Sequence, residues 1–204
     1  MNVSPEVASI VRPAWTDVAP VTVVERAAAL DEPLRQTAAK MRTAVESGDI
    51  TAAVRTMYKR VGLDPTKTRP SSEALLRRVR RGDELPRINS LVDIINWCSL
   101  ETQLPFGLYD ADHITGSVTL RLGQPGEEYA GIRKDTVHVG GRLALVDDSG
   151  PFGNPTSDSA RTMVTPATRR GFVVIFAPVQ VAIAMVDGVL DLTKQRIHDY
   201  CHPH

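Results

Sequence analysis

Cysteine is nearly missing from this chain. Cys98 and Cys201 are the only two among 204 residues, too few for a disulfide framework, so a reducing, cytoplasmic setting is expected. An excess of either charge is missing too. Lys plus Arg and Asp plus Glu each number 24, so no overall field draws the chain to nucleic acid or to a membrane. The longest apolar run, residues 172–186, is broken by Pro178 and Gln180 and is not expected to span a bilayer. The amino terminus lacks the positive region, apolar run and cleavage site of a signal peptide. Neither a glycine-rich phosphate loop nor a nucleophile-elbow serine occurs, which argues against the familiar nucleotide-binding and serine-hydrolase patterns.

What the chain does have is a composition suited to one core, with 42% hydrophobic and 24% charged residues. Ser4-Pro5 is placed to cap and open a short helix. Residues 18–25 are β-branched enough for a strand. Helices are expected over 32–46 and 50–61 and from Ser71 or Ser72 to about 81, with the two-proline segment 62–70 as a loop. A further helix covers 87–100. Residues 105–110 read as a turn and 117–122 as a half-buried strand. Residues 136–139 and 142–146 read as a hairpin joined at Gly140-Gly141, and 147–155 as a long polar loop. The unbroken apolar run 172–177 suits a strand buried on both faces, and helix is expected from about 179 to 200. The expected fold is a single α+β (mixed α/β) domain, a mixed sheet packed by helices with a helical amino-terminal half.

Two stretches stand out as carriers of chemistry. On the helix over 87–100, Leu91, Val92, Ile94, Ile95 and Cys98 cover one broad side, while Asn89, Asp93 and Asn96 fall at i, i+4 and i+7 on the other. That polar stripe either faces a ligand or reduces to a helix cap and bonds to nearby loops. The second stretch, 155–162, packs Thr156, Ser157, Asp158 and Ser159 beside Arg161. Hydroxyls and backbone N–H groups at this density suit an anion, an ester carbonyl or a sugar hydroxyl. The plain alternative is a turn held by its own side chains. The two stretches are expected to face a common pocket.

Positive charge is concentrated in Arg77, Arg78, Arg80 and Arg81, with Lys59, Arg60, Lys67 and Arg69 upstream. Such a run is either a solvated helical face or a contact for a phosphate backbone. His198, Cys201, His202 and His204 form a terminal set able to take zinc adventitiously, without the rigid support a catalytic site needs. Cys98 reads as an inert buried thiol. No metal and no cofactor are expected.

Residues 85–96 (LPRINSLVDIIN), 104–112 (LPFGLYDAD) and 118–127 (VTLRLGQPGE), continued by Leu143-Ala-Leu-Val-Asp-Asp, Gly150-Pro-Phe-Gly-Asn and Val173-Val-Ile-Phe-Ala, form an ordered series. The series resembles the tRNA-binding and editing domain in the beta subunit of bacterial phenylalanine–tRNA ligase, and the chain looks like a free-standing homologue. The resemblance covers 85–177, leaving 1–84 as an amino-terminal helical extension. It implies a cytoplasmic protein that binds tRNA or aminoacyl-tRNA, with no membrane or DNA partner, and hydrolyses the ester of mischarged tRNA. The family's turn carries a histidine where this chain has Gly107, and a glutamate in a Gly-Gly-Glu segment where this chain reads 153–158. Asp158 is then expected to position or deprotonate water, with Thr156 and Ser157 at the oxyanion. Asn89, Asp93, Asn96, Tyr109, Ser159 and Arg161 would hold the substrate, and Arg69, Arg77, Arg78 and Arg81 the tRNA backbone. A non-catalytic tRNA or amino-acid binding module using the same pocket is the alternative, and a hydrolase of another small ester or amide is a third possibility.

Overall fold

In the computed structural model, which describes residues 1–44, 48–133 and 136–202, the amino-terminal segment takes part in two sheets. It supplies β1 (Asn2–Val3), the short helix α1 (Pro5–Ala8) and β2 (Val11–Val18), then helices α2 (Asp31–Thr43), α3 (Gly48–Arg60) and α4 (Ser71–Arg80). The central helix α5 (Ser90–Thr102) leads to β3 (Phe106–Asp110), β4 (Thr119–Leu122), β5 (Glu128–Tyr129) and β6 (Val137–His138). After these come β7 (Leu143–Asp147), β8 (Gly150–Asn154), β9 (Ser157–Asp158), β10 (Gly171–Pro178) and α6 (Ile183–Cys201). The architecture is α+β, as the sequence implies.

One sheet has the order β1-β4-β7-β8-β9, and it is mixed because β1 runs parallel to β4. A second, antiparallel sheet has the order β2-β10-β3, and β5 pairs with β6 alone. Every residue of β10 is buried. With a neighbour on each edge and apolar side chains on both faces, it acts as the spine of the core.

Several local expectations shift. The amino-terminal strand is Val11–Val18 rather than 18–25, and Pro13 is tolerated there because β2 is an edge strand pairing only with β10. The turn expected at 105–110 is strand β3, buried throughout, because Phe172–Ile175 of β10 pair with Tyr109–Phe106. The Gly140-Gly141 hairpin does not form. β6 pairs back with β5, while β7 joins β4 and β8. The polar loop expected over 147–155 is largely strand β8, where Phe152 is fully buried and carries the segment inward. The stop expected at Ser47-Gly48 falls partly outside the described residues.

Helix α5 begins as its sequence dictates. Asn89 is the N-cap, its side-chain oxygen accepting from Val92 N at 3.0 Å. The helix is buried almost all round: Leu91, Ile94, Cys98 and Leu100 have no exposure. Helix α6 is fastened to it by Arg196, whose guanidinium lies 3.6 Å from the Trp97 ring centroid and pairs with Glu101 at 2.5 Å. No helix among the described residues is long and apolar enough to cross a membrane.

Candidate functional site

A cleft of about 450 Å³ opens between α5 and the segment after β8. Its α5 wall is Val92, Ile95, Asn96 and Ser99, one face at helical spacing. Phe106 and Leu108 come from β3, Pro86 and Ile88 from the lead into α5, and Met163 and Val164 from the segment before β10. The facing wall is Asn154, Pro155, Thr156, Ser157 and Asp158, with Gly131, Ile132 and Arg133 beside it. Ile88, Ile132 and Met163 remain exposed, so apolar groups in the lining stay in contact with water.

The loop at 154–158 is held from several sides. Asn154 Oδ1 accepts from Thr156 N at 2.8 Å, Thr156 Oγ1 at 2.7 Å and Ser157 N at 2.9 Å. Tyr58 of α3 donates to the Pro155 carbonyl at 2.9 Å, and Tyr129 of β5 donates to the Ser157 carbonyl. Buried phenols from two distant elements therefore fix the backbone that carries Asp158.

Asp158 is only partly exposed, and its Oδ1 is sealed from solvent with no hydrogen-bond partner among the described residues. Burial pushes its pKa up to about 7, with the Tyr109 hydroxyl opposing that rise. Near neutrality this carboxyl is divided between its two protonation states, which suits proton transfer.

The expected site residues divide into two groups. Asn96, Thr156, Ser157 and Asp158 share the cleft, so α5 and the hydroxyl-rich run do meet. The others are turned to structural partners. Asn89 caps α5 and also reaches the Val164 carbonyl at 3.4 Å. Asp93, with no side-chain exposure, accepts from Arg87 Nε at 2.6 Å and Ile88 N at 2.8 Å. Arg87 in turn reaches Asp31 and the Ala27 carbonyl, which anchors the Pro86–Ile88 rim. Ser159 is buried against Thr162. Arg161 forks onto Asp147, with both bonds at 2.9 Å. Tyr109 is fully buried and outside the cleft lining.

A second cleft, about 570 Å³, lies between α3 and α4 and gathers Arg55, Arg69, Arg77, Arg80 and Arg81 around Glu73. Three of the four arginines singled out from the sequence belong to it. The fourth, Arg78, instead bonds the Glu84 carbonyl at 2.5 Å. Arg55 is paired with Glu73 and Arg81 with Asp83. Among the described residues neither Arg69 nor Arg77 forms an ion pair.

At the carboxyl end the Cys201 thiol is buried, 3.3 Å from Ser90 Oγ, while the His198 and His202 rings lie 4.5 Å apart. His204 lies outside the described residues, and no metal-binding group of three or more side chains forms among the described ones.

Sequence reasoning missed the apolar half of the cleft. Phe106 and Leu108 were hidden in a supposed turn, and Ile132, Arg133 and Met163 have no local pattern that marks them. Asn154, the hub of the loop, was visible as a turn-former in Gly153-Asn-Pro155.

The sequence pattern of the B3/4 domain matches residues 53–198, and the chain belongs to that family. Within it, a stretch of 61 residues is 38% identical to the phenylalanine–tRNA ligase beta subunit of Ralstonia nicotianae, covering 30% of this chain and 8% of that protein. An 85-residue stretch is 32% identical to the corresponding subunit of Cutibacterium acnes, covering 41% and 10% respectively. The chain thus matches about a tenth or less of the length of these two relatives. An N-terminal fragment of the Pyrococcus horikoshii phenylalanyl-tRNA synthetase beta subunit aligns over 92% of this chain and 74% of its own, with a TM-score of 0.45 and 13% identity.

Proposed function

We infer that the protein is an aminoacyl-tRNA-binding protein of the cytoplasm that acts as a trans-editing deacylase, hydrolysing the ester of mischarged tRNA. The observation that carries this reading is Asp158, a carboxyl titrating near 7 on a fixed loop that lines an apolar cleft. The family relationship to phenylalanine–tRNA ligase beta subunits supports the choice of tRNA.

The chemistry is modest because an aminoacyl ester is already activated. Ionised Asp158 orients a water and takes its proton as the water oxygen attacks the ester carbonyl carbon. The ester C–O bond to the ribose then breaks, and the same proton passes to the departing ribose oxygen. The amino acid leaves as its carboxylic acid. The Thr156 and Ser157 N–H groups are held by Asn154, so the Ser157 hydroxyl supplies the oxyanion contact. Asn96 and the apolar wall hold the amino acid, and Arg69 and Arg77 meet backbone phosphates from the second cleft.

A second reading, a binding module without turnover, is favoured by one feature: among the described residues no imidazole lines the cleft. Incubating the protein with a panel of correctly charged and mischarged tRNAs separates the two. Release of amino acid from one mischarged species is expected. Salt-sensitive tRNA binding with no release from any species would leave the binding module. Neither release nor binding would remove both.

A further inference from the structure

The buried phenol of Tyr109 is not part of the cleft lining, yet its surroundings are built around it. Its ring meets Phe152 edge-on at 5.0 Å, and its hydroxyl is sealed from solvent without a hydrogen-bond partner. Two glycines make room for that hydroxyl. A side-chain carbon added at Gly107 or at Gly153 would stand 2.3 Å from Oη, a separation real side chains do not tolerate. Gly153 lies directly opposite Asp158 in the β8–β9 pair, so the space left by the missing side chain adjoins the Asp158 carboxyl. Asp158 Oδ1 is also sealed and without a partner. Two orphaned polar atoms on the contacting strands β3 and β9 are costly, and such groups are rarely left unsatisfied.

We propose that Tyr109 is a positioning residue of the cleft, its hydroxyl donating to the Asp158 carboxyl and holding the other carboxylate face toward the bound ligand. The assignment rests on the reading of Asp158 as the acting group, but its test does not require turnover. It also gives a reason for Gly107: a residue with a side chain there would displace the phenol. Among the described residues the other titratable groups near Asp158 are Tyr129 of β5, whose hydroxyl is committed to the Ser157 carbonyl, and Arg133, which lines the same cleft.

A phenol donating to a carboxylate favours its charged form, so removing that oxygen should make Asp158 harder to ionise. The test is a carbon-13 NMR titration of the Asp158 carboxyl in the full chain, for the wild type and for Tyr109→Phe, with Asp158→Asn assigning the signal. Tyr109→Phe keeps the ring and its contact with Phe152. The midpoint is expected to rise by about one pH unit, the scale of a hydrogen bond to a charged group. A midpoint that stays or falls overturns the proposal. If Tyr109→Phe does not fold, the wild type decides, because the Tyr109 ring carbon bearing the hydroxyl must shift through the Asp158 titration. A flat response there overturns the proposal equally. Where turnover is found, its pH midpoint should move up with the titration while KM is unchanged. Absence of turnover on every charged tRNA would reject the deacylase reading and leave the titration result standing.

Discussion

Asp147 at the end of β7 and Asp158 on β9 are both carboxylates drawn into one protein sheet, and their surroundings are opposite. Asp147 receives both arms of Arg161 at 2.9 Å, Thr115 N at 2.8 Å and Ser149 N at 2.9 Å. Burial would raise its pKa, but the guanidinium and the backbone donors hold it below the usual carboxylate range. Among the described residues Asp158 has no ion pair and its Oδ1 no hydrogen bond, so burial prevails and its pKa rises to about 7. Folding gains from the first arrangement and is opposed by the second. The unopposed burial of Asp158 is the feature on which its proposed role rests.

The sharpest way to break the comparison is to neutralise Asp158. Asp158→Asn should lower deacylation by about 10²–10⁴-fold, the usual contribution of a positioned base, measured as amino-acid release from the mischarged tRNA identified in the panel. The same substitution should leave the fold intact, read as an unchanged circular dichroism spectrum. Full retained turnover would take Asp158 out of the mechanism.

Next in size is Arg161→Ala. It leaves the Asp147 carboxylate buried without its cation, which costs about 3–5 kcal/mol. Denaturant unfolding should register that loss, in contrast to Asp158→Asn. A variant as stable as wild type would mean that Asp147 is satisfied by its backbone donors alone.

The two carboxylates should also drive stability in opposite directions with pH. The folded pKa of Asp158, about 7, lies above the unfolded value near 3.9. The folded state therefore holds the proton longer, and this contribution to stability is lost as pH rises from about 4 to 7. For Asp147 the folded pKa is depressed, so its contribution is present above the unfolded pKa and lost as pH falls through the folded one. Asp158→Asn should accordingly be more stable than wild type above pH 7, by about 1–3 kcal/mol, with the gap closing toward pH 4. Urea midpoints at pH 5 and pH 8 check it, and an equal gap at both would contradict the assignment.

The smallest effect belongs to the arginine cleft. Arg69→Ala and Arg77→Ala should each weaken tRNA binding and flatten its dependence on salt, each reducing the slope of log affinity against log salt by about 1. Binding measured at two or three salt concentrations is enough. An unchanged slope would return these arginines to the solvated surface.

Element by element, the helices were the most legible part of this chain. α3 and α4 fall within a residue or two of their expected bounds, and α5 starts at its Asn89 cap, because periodic apolar residues and local caps act over a few positions. Strand pairing was much less legible. Gly140-Gly141 looks like a hairpin turn, but β6 and β7 have partners elsewhere, and β3 becomes a strand only because β10 lies beside it. Pairing is non-local, so short-range turn chemistry cannot decide it. In the cleft, the run 156–158 and Asn96 were recognisable from residue type. Asn89, Asp93, Ser159 and Arg161 looked equally suitable and turned out to hold the scaffold.

The sequence by itself determined the main helices and the Asn89 cap, the buried strand over 172–177, the balanced charge and the family. Only the tertiary structure decided which polar groups are spent and which remain available. Asp93 and Asp158 are both acidic residues with polar neighbours in the sequence. Arg87 folds back onto one, while among the described residues no cation pairs with the other, and the Tyr109 phenol, given room by two glycines, lies near it. A carboxylate's role is set by the partners that reach it through space, and those partners come from distant parts of the chain.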